Sequence, residues 1–380
     1  MKKVLIIATV YSHIAQFHQA LIDKLKANNY EVHICGYDNL AVKNGLTINN
    51  VDKKFNLPFS RDPFSFNNIK CYKELKKILK KEKYDFIHCN TPVGGVLGRL
   101  AAKKLRSQGT KVFYTAHGFH FYKGSSLKSW LIYYPIEKLL AKYTDVIITI
   151  NKEDYDLSKS KFKKCNGFLY INGVGVDEKK FSNCIDLRTR QNYEKEFNIS
   201  NNDFVVVCIG ELNDNKNQIL AIDAMKKIVE KHKNVKLLIL GNGPKKDYLQ
   251  DKINEYNLGN NVKLLGYRTD VSNILCMANL GISCSLREGL GLNLIEELIA
   301  KLPIIAVYNR GHKEIVVNNY NGFLIKNDVD ELVEKINLLY ENKKLYNEIK
   351  NNCYDSAKKF FVNNSIELLS GIYGVKNKDE

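Results

Sequence analysis

Residues 280–307 have the sequence LGISCSLREGLGLNLIEELIAKLPIIAV. The apolar run Leu280–Cys284 is followed by a turn that contains glycine, an amphipathic stretch at Leu292–Lys301 and a second apolar run at Pro303–Val307. This order predicts a strand, a helix and a second strand parallel to the first, because a parallel pair needs a crossover connection of about a dozen residues. The segment therefore indicates an α/β fold built from βαβ units.

The same alternation extends over the whole chain. The other predicted strands are Val4–Val10, Glu31–Gly36, Phe86–Cys89, Lys111–Thr115, Asp145–Ile150, Phe204–Gly210, Lys236–Gly241 and Val262–Leu265. The other predicted helices are Phe17–Asn28, Ile69–Lys83, Gly94–Gln108, Gln218–His232, Lys245–Tyr256, Asp330–Asn342 and Cys353–Tyr373. Two such series, divided by the polar stretch Asp177–Asn202, predict two Rossmann-like domains whose parallel sheets face each other across a cleft.

The predicted boundaries are a first domain at 1–178, a linker at 179–202, a second domain at 203–352 and a C-terminal helical segment at 353–380. The sequence leaves open whether that last segment packs back onto the first domain. In open parallel sheets ligands bind beyond the carboxyl ends of the strands. The residues that follow each predicted strand are therefore the candidates for function.

Composition excludes several classes of protein. With 44% hydrophobic and 26% charged residues the chain is globular rather than disordered. It has no apolar run of the roughly 18–20 residues that a membrane-spanning helix needs. The opening apolar run lacks a small-residue cleavage site after it, so it predicts a first strand and a cytoplasmic protein rather than a signal peptide.

The net charge of +17 is confined to one half of the chain. Residues 1–190 carry 33 Lys or Arg and 16 Asp or Glu, whereas residues 191–380 carry 25 of each kind. A basic first half suggests an anionic partner: a nucleic acid, an anionic membrane face or a phosphorylated substrate. Lysine-rich composition is the simpler alternative. The sequence contains no helix-turn-helix, zinc or RNP pattern, so we expect no nucleic acid as partner.

The nine cysteines are scattered and never spaced as C-x-x-C. This pattern is typical of reduced thiols in a cytosolic protein and offers no set of metal ligands. We therefore expect no metal ion and no other cofactor.

Two acidic residues flank the glycine turn of the opening segment. Glu288 precedes the turn and Glu296 lies eight residues further on, inside the predicted helix. A helix N-terminus reached through glycines offers free N–H groups to a phosphate or sugar oxygen, and each carboxylate can accept hydrogen bonds from vicinal hydroxyls. The alternative is that Glu288 caps the helix and Glu296 is solvated on its surface.

The spacing of Glu288 and Glu296 resembles the E-x7-E motif of family-4 glycosyltransferases, which are retaining enzymes of GT-B fold. The resemblance extends over almost the whole chain, and its His-Gly-Phe-His form at residues 117–120 is most similar to bacterial capsule and exopolysaccharide transferases. The other similar segments are Phe204–Asn217, Gly241–Pro244, Leu265–Tyr267, Asn309–Glu314, Asn321–Leu324, Ile87–Thr91, Thr115–His120 and Asn172–Asp177.

The resemblance implies a role for each matching residue. In the second domain, the nucleotide-sugar-binding one, Lys216 would neutralise the donor diphosphate, Glu288 would hold the sugar hydroxyls and Glu296 would bind the ribose hydroxyls. His117, in the first, acceptor-binding domain, would contact the donor sugar near the reacting carbon, and His120 would shape the site. The remaining implied donor-binding residues are Gly266, Tyr267, Arg268, Gly289, Leu290, Gly291 and Leu292. Taken alone, Lys216 could equally be a surface lysine and His117 a loop histidine.

Three positions depart from the family pattern. Glu211 stands where the family has an Arg, which places more weight on Lys216, with Arg287 and Arg268 as candidate substitutes. Lys301 replaces the glycine before Pro303, and no glycine-rich loop follows the first strand. The missing G-x-G-x-x-G also argues against a dinucleotide-dependent dehydrogenase.

The resemblance implies transfer of a sugar from a nucleotide-diphosphate sugar, with UDP expected, to a lipid-linked saccharide. Such an acceptor carries a polyprenyl diphosphate, which places the enzyme on the anionic inner face of the plasma membrane. The basic predicted helix Ile69–Lys83 fits either that membrane or a solvated face that covers a sheet. Two alternatives remain open: a UDP-sugar 2-epimerase of the same fold, and a catalytically idle scaffold of a polysaccharide assembly.

Overall fold

The computed structural model describes residues 1–43, 45–182 and 185–375, and it divides the chain into two compact units. Unit 1 comprises Met1–Gly175 together with the C-terminal segment from Val362, and unit 2 comprises Val176–Phe361. Cys184 and the polar tail from Lys376 lie outside the described residues. Each unit contains one sheet of parallel strands, as the sequence predicts.

Unit 1 is built around a seven-stranded sheet in the order β3-β2-β1-β4-β5-β6-β7. Its strands are β1 (Lys3–Val10), β2 (Glu31–Tyr37), β3 (Lys53–Asn56), β4 (Phe86–Asn90), β5 (Lys111–Ala116), β6 (Val146–Thr149) and β7 (Gly167–Tyr170). The helices between them are α1 (Tyr11–Phe17), α2 (Gln19–Ala27), α3 (Phe66–Glu82), α4 (Pro92–Ala102), α5 (Leu127–Ala141) and α6 (Lys152–Lys161). Each strand pairs with its neighbours in parallel, for example Leu5 with both His33 and Ile87.

Unit 2 is built around a six-stranded sheet in the order β10-β9-β8-β11-β12-β13. Its strands are β8 (Phe204–Ile209), β9 (Val235–Leu240), β10 (Val262–Gly266), β11 (Leu280–Ser283), β12 (Ile304–Val307) and β13 (Gly322–Ile325). Its helices are α7 (Leu187–Phe197), α8 (Ile219–Lys231), α9 (Lys246–Glu255), α10 (Val271–Leu275), α11 (Leu292–Ile299), α12 (His312–Ile315), α13 (Val329–Glu341) and α14 (Lys343–Ala357).

All ten predicted strands are confirmed, with ends that differ by at most one residue. The strands β3, β7 and β13 were not predicted. All three are four residues long and lie at a sheet edge; β3 and β7 contain no buried residue and lack the buried apolar run of a central strand, whereas β13 is apolar and largely buried. The predicted helix Phe17–Asn28 is wrong at its start, because the chain is helical from Tyr11 and changes direction at His18.

The segment after residue 342 is also divided differently from the prediction. The helix predicted at Cys353–Tyr373 is two helices, α14 and α15 (Val362–Gly371), and only the second belongs to unit 1. The Tyr373 hydroxyl lies 2.7 Å from His88 Nδ1, and Tyr30 donates a hydrogen bond to the Tyr373 carbonyl at 2.8 Å. The stretch predicted as a linker contains α7, whose Phe197 is buried in the core of unit 2.

The strand order defines one crevice in each sheet. In unit 1, β1 has β2 on one side and β4 on the other. In unit 2, β8 lies between β9 and β11 in the same way. Ligands of open α/β sheets bind beyond the strand ends at such a switch point, because the two adjoining loops separate there. The loops after β1 and β4, and those after β8 and β11, are therefore the places to examine.

Candidate functional site

The switch point of unit 2 brings together two of the predicted site residues. Lys216, in the loop after β8, lies with its Nζ 2.7 Å from Oε1 of Glu288, in the loop after β11. Both side chains are largely buried, with 22% and 16% of their surfaces exposed. The stem of Lys216 passes over Gly210, whose missing side chain leaves room for it. A fixed cation and a fixed carboxylate thus meet in this crevice.

Asparagine side chains hold the two loops in place. Asn213 Oδ1 accepts a hydrogen bond from the Lys216 backbone N–H at 2.9 Å, and Asn215 Nδ2 donates to the Arg287 carbonyl at 3.0 Å. The Asn215 carbonyl in turn accepts from the Leu286 N–H. Glu211, which stands at the family's Arg position, is exposed and accepts a hydrogen bond from Asn213. Glu211 therefore takes part in shaping this loop.

The glycine turn leads directly into α11. Gly291 has φ +105°, a left-handed conformation that a glycine adopts without strain, and no side chain caps the helix that follows. The Leu294 N–H already donates to the Gly291 carbonyl, and the N–H groups before it are the candidates for an acceptor from outside the helix. Gly311 packs closely against Leu290, the residue before Gly291. A Cβ at position 311 would lie 2.8 Å from the Leu290 backbone N and O.

The two adjacent carboxyl groups of α11 have different surroundings. Glu296 is partly exposed, and burial of its carboxyl raises its pKa to about 7 although Lys180 opposes the shift. Glu297 is fully buried, and its Oε2 has no hydrogen-bond partner among the described residues. Burial raises the pKa of Glu297 well above its ordinary value, which favours the protonated, neutral form of this carboxyl.

His312 supports the glycine turn, and it was not among the predicted site residues. Its ring is fully buried against Gly291, with Nε2 3.1 Å from Ser283 Oγ and Nδ1 2.6 Å from the Val307 carbonyl. Burial lowers the pKa of His312, so the ring is neutral and its contacts are hydrogen bonds. The Asn309–Glu314 segment could have identified His312, because this histidine follows Gly311 shortly after the end of a predicted strand.

The predicted donor-binding residues Gly266, Tyr267 and Arg268 lie at the end of β10. Gly266 has φ +68° and its carbonyl accepts a hydrogen bond from the Gly241 N–H, while Tyr267 is half exposed. The guanidinium of Arg268 donates to Asp270 at 2.8 and 2.6 Å and to Glu196 at 2.7 Å. These two carboxylates raise the pKa of Arg268 and neutralise its charge, so Arg268 is placed to shape the segment rather than to offer a free cation.

In unit 1 the predicted catalytic histidine lies at the end of β5. The Nε2 atoms of His117 and His13 are 3.1 Å apart, and burial lowers the pKa of His117 to about 4. His120 stacks on Tyr133 with ring centroids 4.6 Å apart, which agrees with a shaping role. His13 was not predicted, because the sequence gives no reason to group it with a histidine 104 positions away.

A cavity of about 330 Å³ lies at the switch point of unit 1. Its walls include Thr9 near the end of β1, His13 of α1, Thr91 after β4, and the exposed Arg61. The hydroxyls of Thr9 and Thr91 are 2.7 Å apart and join the two loops. A cavity whose wall offers hydroxyls, an imidazole and one cation is suited to an oxygen-rich, anionic ligand.

Comparison with known protein families matches both halves of the chain. Residues 3–151 match the family described as "Glycosyl transferase 4-like", and residues 189–356 match "Glycosyl transferases group 1". The second match includes Lys216, Glu288 and Glu296.

Among curated proteins, EpsD of Bacillus subtilis, named as a glycosyltransferase, is 38% identical over 98% of this chain and 96% of its own length. A second relative is the UDP-Gal:alpha-D-GlcNAc-diphosphoundecaprenol alpha-1,3-galactosyltransferase of Escherichia coli, which is 31% identical over 77% of this chain and 76% of its own. The capsular polysaccharide biosynthesis glycosyltransferase CapM of Staphylococcus aureus is 25% identical over 94% of this chain and 93% of its own.

Among solved structures, HepE of Anabaena in complex with UDP and glucose superposes with a TM-score of 0.76 at 19% identity. The match covers 99% of this chain and all of that one. At this identity the likeness concerns the fold.

Proposed function

This chain belongs to the group 1 glycosyl transferases, and from that premise we propose that it moves a sugar from a UDP-sugar to a polyprenyl-diphosphate-linked saccharide with retention of configuration. The fold is GT-B, the protein is a hexosyltransferase, and its relatives include capsule-type enzymes. The observation that carries the proposal is the contact between Lys216 and Glu288 at the switch point of unit 2.

In the proposed donor site Lys216 faces the diphosphate, where its charge offsets the charge that develops on the leaving group. The N–H groups at the start of α11, reached through Gly289–Leu292, supply further hydrogen bonds to the diphosphate and the sugar. Glu288 binds the sugar hydroxyls and Glu296 the ribose hydroxyls. Gly266 and Tyr267 hold the base, and Arg268 fixes their segment through Asp270 and Glu196.

The proposed reaction exchanges one bond at the anomeric carbon. The bond from that carbon to the diphosphate oxygen breaks through an oxocarbenium-like transition state, and the acceptor oxygen attacks from the same face. The leaving phosphate takes the acceptor proton, which balances the step. His117 contacts the donor sugar near the reacting carbon. In this proposal Lys216 and the α11 amides supply the electrostatic stabilisation, so the reaction needs no metal ion or other cofactor.

The acceptor proposal is supported by the E. coli relative, whose name specifies a diphosphoundecaprenol-linked sugar. The cavity at the switch point of unit 1 provides hydroxyl and imidazole groups for a saccharide and Arg61 for an anionic oxygen. The excess of positive charge in the first half of the chain also favours an anionic acceptor and an anionic membrane.

Contact with the inner face of the plasma membrane forms part of the proposal. In the part of the chain that the structure describes, no helix combines the length and apolar character of a membrane span. Leu75 and Leu79 of α3 are buried in the core of unit 1, which supports the alternative of a basic helix that covers a sheet, whereas Ile69 of the same helix is exposed.

Helix α5 presents the larger exposed apolar surface of unit 1. Leu127 and Leu131 are 81% and 77% exposed, and Ile132, Ile136 and Leu139 are also exposed. Lys128 and Lys138 are exposed on the same helix. An apolar stripe with neighbouring lysines suits the interface of an anionic bilayer.

Transfer can be measured directly with UDP-galactose, UDP-glucose and UDP-N-acetylglucosamine and with an undecaprenyl-diphosphate-linked N-acetylglucosamine acceptor in detergent. We expect one of these donors to release UDP only when the acceptor is present, with the same rate in excess chelator. Thermal unfolding with UDP, dTDP and GDP gives an independent test, since a ligand at 100 times its Kd adds about 2.7 kcal/mol of stability.

The two alternatives give different results. A 2-epimerase would convert the UDP-sugar without any acceptor. An idle scaffold would show no thermal shift with any nucleotide, and Glu288→Ala would change nothing measurable.

A further inference from the structure

Three histidines of unit 1 converge beside the cavity described above. His13 lies in α1, His18 at the junction of α1 and α2, and His117 after β5. One ring nitrogen of each lies within 4.8 Å of one ring nitrogen of the other two, and the His13 and His117 Nε2 atoms are 3.1 Å apart. A tetrahedral metal ion holds each imidazole nitrogen at about 2.0–2.1 Å. Three nitrogens bound in this way would lie about as far from one another as the His13 and His117 Nε2 atoms do.

His18 supplies a second, independent observation. Its ring is 1% exposed, and neither of its nitrogens makes a hydrogen bond of good geometry within residues 1–43, 45–182 and 185–375. Buried polar atoms are nearly always well hydrogen-bonded, so this weakly bonded imidazole has a nitrogen to offer a ligand. The side chain of Asn90 lies beside His18 and interacts with it, and the buried Asn90 Oδ1 likewise makes no hydrogen bond of good geometry. Such an amide can orient a metal-bound histidine by accepting its other N–H.

The fourth histidine of this region differs from the three. The ring of His88 is 5.5 Å from that of His18, but its Nε2 is 2.7 Å from Thr115 Oγ1 and its Nδ1 is 2.7 Å from the Tyr373 hydroxyl. His88 therefore has both nitrogens occupied and packs behind the cluster.

We propose that His13, His18 and His117 bind a divalent transition-metal ion, with Zn²⁺ as the representative ion. Neutral imidazoles suit such an ion, whereas Mg²⁺ and Ca²⁺ prefer oxygen ligands. Because His13 also lines the cavity, the ion would stand in the cavity wall.

Metal binding would have one consequence for transfer, and this consequence rests on the proposed role of His117. A His117 nitrogen bound to the ion is no longer available to the donor sugar. Zn²⁺ should therefore inhibit transfer, and a chelator should restore it.

The binding experiment uses the full chain without a histidine tag and stripped of metal. Zn²⁺ is titrated calorimetrically, and Co²⁺ is added in parallel because its absorption spectrum reports the ligands. We expect one Zn²⁺ per chain, no binding of Mg²⁺ at this site, and a Co²⁺ spectrum without thiolate charge transfer. His18→Gln should weaken Zn²⁺ binding at least about tenfold, because one ligand is lost. His232→Gln, in unit 2, is the matched control and should leave the affinity unchanged.

Equal Zn²⁺ affinity in wild type and His18→Gln, or no binding at all, would overturn the proposal and leave a buried water as the partner of His18. If His18→Gln does not fold, the half-buried His13→Gln replaces it with the same expected loss. Transfer that persists in a protein shown to hold Zn²⁺ at this site would refute the role of His117 in transfer, and the metal site would stand. If Zn²⁺ does not inhibit transfer by His18→Gln, that result would support both the metal site and the role of His117 in transfer.

Discussion

Lys216 and Glu288 are 72 residues apart in the sequence and share an ion pair of 2.7 Å. We expect Lys216→Ala to weaken UDP binding by roughly 10- to 100-fold, since hydrogen bonds to charged groups contribute about 1.5–3 kcal/mol. Glu288→Gln should leave UDP affinity within a few-fold and lower the rate of transfer at least about a hundredfold, because the carboxylate acts on the sugar. Calorimetry and UDP release measure the two effects.

Lys227→Ala is the control for Lys216→Ala. Lys227 also pairs with a carboxylate of unit 2, that of Asp330, but on the surface of the protein. Loss of the Lys227 side chain should change neither the UDP affinity nor the rate of transfer, because exposed ion pairs contribute about 0–1 kcal/mol. Equal UDP affinity in wild type and Lys216→Ala would place the diphosphate elsewhere.

Substitutions of the neighbours Glu296 and Glu297 separate an effect on protein stability from an effect on UDP binding. Glu296 has a pKa of about 7 when folded against an ordinary value of 4.5, so the folded state retains a proton that the unfolded state loses. The free energy of unfolding therefore falls by at most about 3 kcal/mol as pH rises from about 4.5 to 7. It stays low at higher pH. Glu296→Gln should match the wild type near pH 4.5 and be more stable at pH 8.

Nucleotide affinity distinguishes the two acids. Glu296→Gln should bind UDP about tenfold more weakly at pH 8, and the wild-type affinity should rise between pH 6 and 8 as the carboxylate forms. Glu297→Gln should also stabilise the protein at pH 8, because its buried carboxyl has a raised pKa, but should bind UDP as the wild type does. Thermal unfolding and calorimetry across this pH range test both. Weaker UDP binding by Glu297→Gln would move the ribose contact to Glu297.

At the scale of elements, the turn before α11 is held against the loop after β12. Gly311→Ala would place a Cβ 2.8 Å from the Leu290 backbone and 2.9 Å from Glu288 Cβ. We expect the turn to shift, with a loss of about 1–3 kcal/mol in stability and a higher KM for the donor. Gly259→Ala is the control, because nothing lies within 4 Å of a Cβ at that position. An unchanged KM in Gly311→Ala would show that the turn does not touch the donor.

Helix α5 is fixed in the fold by its inner face. Glu137 forms two hydrogen bonds with the fully buried Arg99 of α4, at 2.7 and 3.0 Å, and Arg99 lies over the Tyr114 ring. This ion pair sets the rotation of α5 about its axis. Leu127 and Leu131 consequently remain exposed.

The exposed face of α5 predicts binding to vesicles. Leu131→Asp should weaken co-sedimentation with anionic phosphatidylglycerol vesicles at least about tenfold, since a buried leucine contributes roughly 1.5–3 kcal/mol. Leu187→Asp is the control, because that leucine is 79% exposed in unit 2. Equal loss in both variants would indicate a general effect of charge instead of a membrane contact at α5.

At the scale of the molecule, unit 1 is completed by the C-terminal segment. Tyr373 is 1% exposed, packs against Phe86 and Phe113, and binds His88. Tyr373→Ala should cost roughly 3–5 kcal/mol of stability, the range for removing a large buried aromatic side chain. Tyr373→Phe should cost about 1–3 kcal/mol, because the buried His88 nitrogen loses its partner.

Denaturant unfolding measures the Tyr373 variants, and Tyr308→Ala is the control. Tyr308 is 60% exposed, so its removal should change stability little. Wild-type stability in Tyr373→Ala would show that the C-terminal segment only rests on unit 1.

Local patterns in the sequence predict most of the elements and one candidate site. Val- and Ile-rich runs mark the central strands, and the glycine turn before Leu292 marks a helix start open to an oxygen ligand. These features depend on neighbours within about ten residues, so they can be predicted from local pattern.

Tertiary structure alone decided which distant residues meet. The order of strands brings Lys216 to Glu288 and carries α15 back to unit 1. It also gathers His13 and His18 around His117, although no motif links them. The physical reason is that pairing in a parallel sheet joins strands regardless of their separation in the chain, so the residues at adjacent strand ends become neighbours only when the sheet forms.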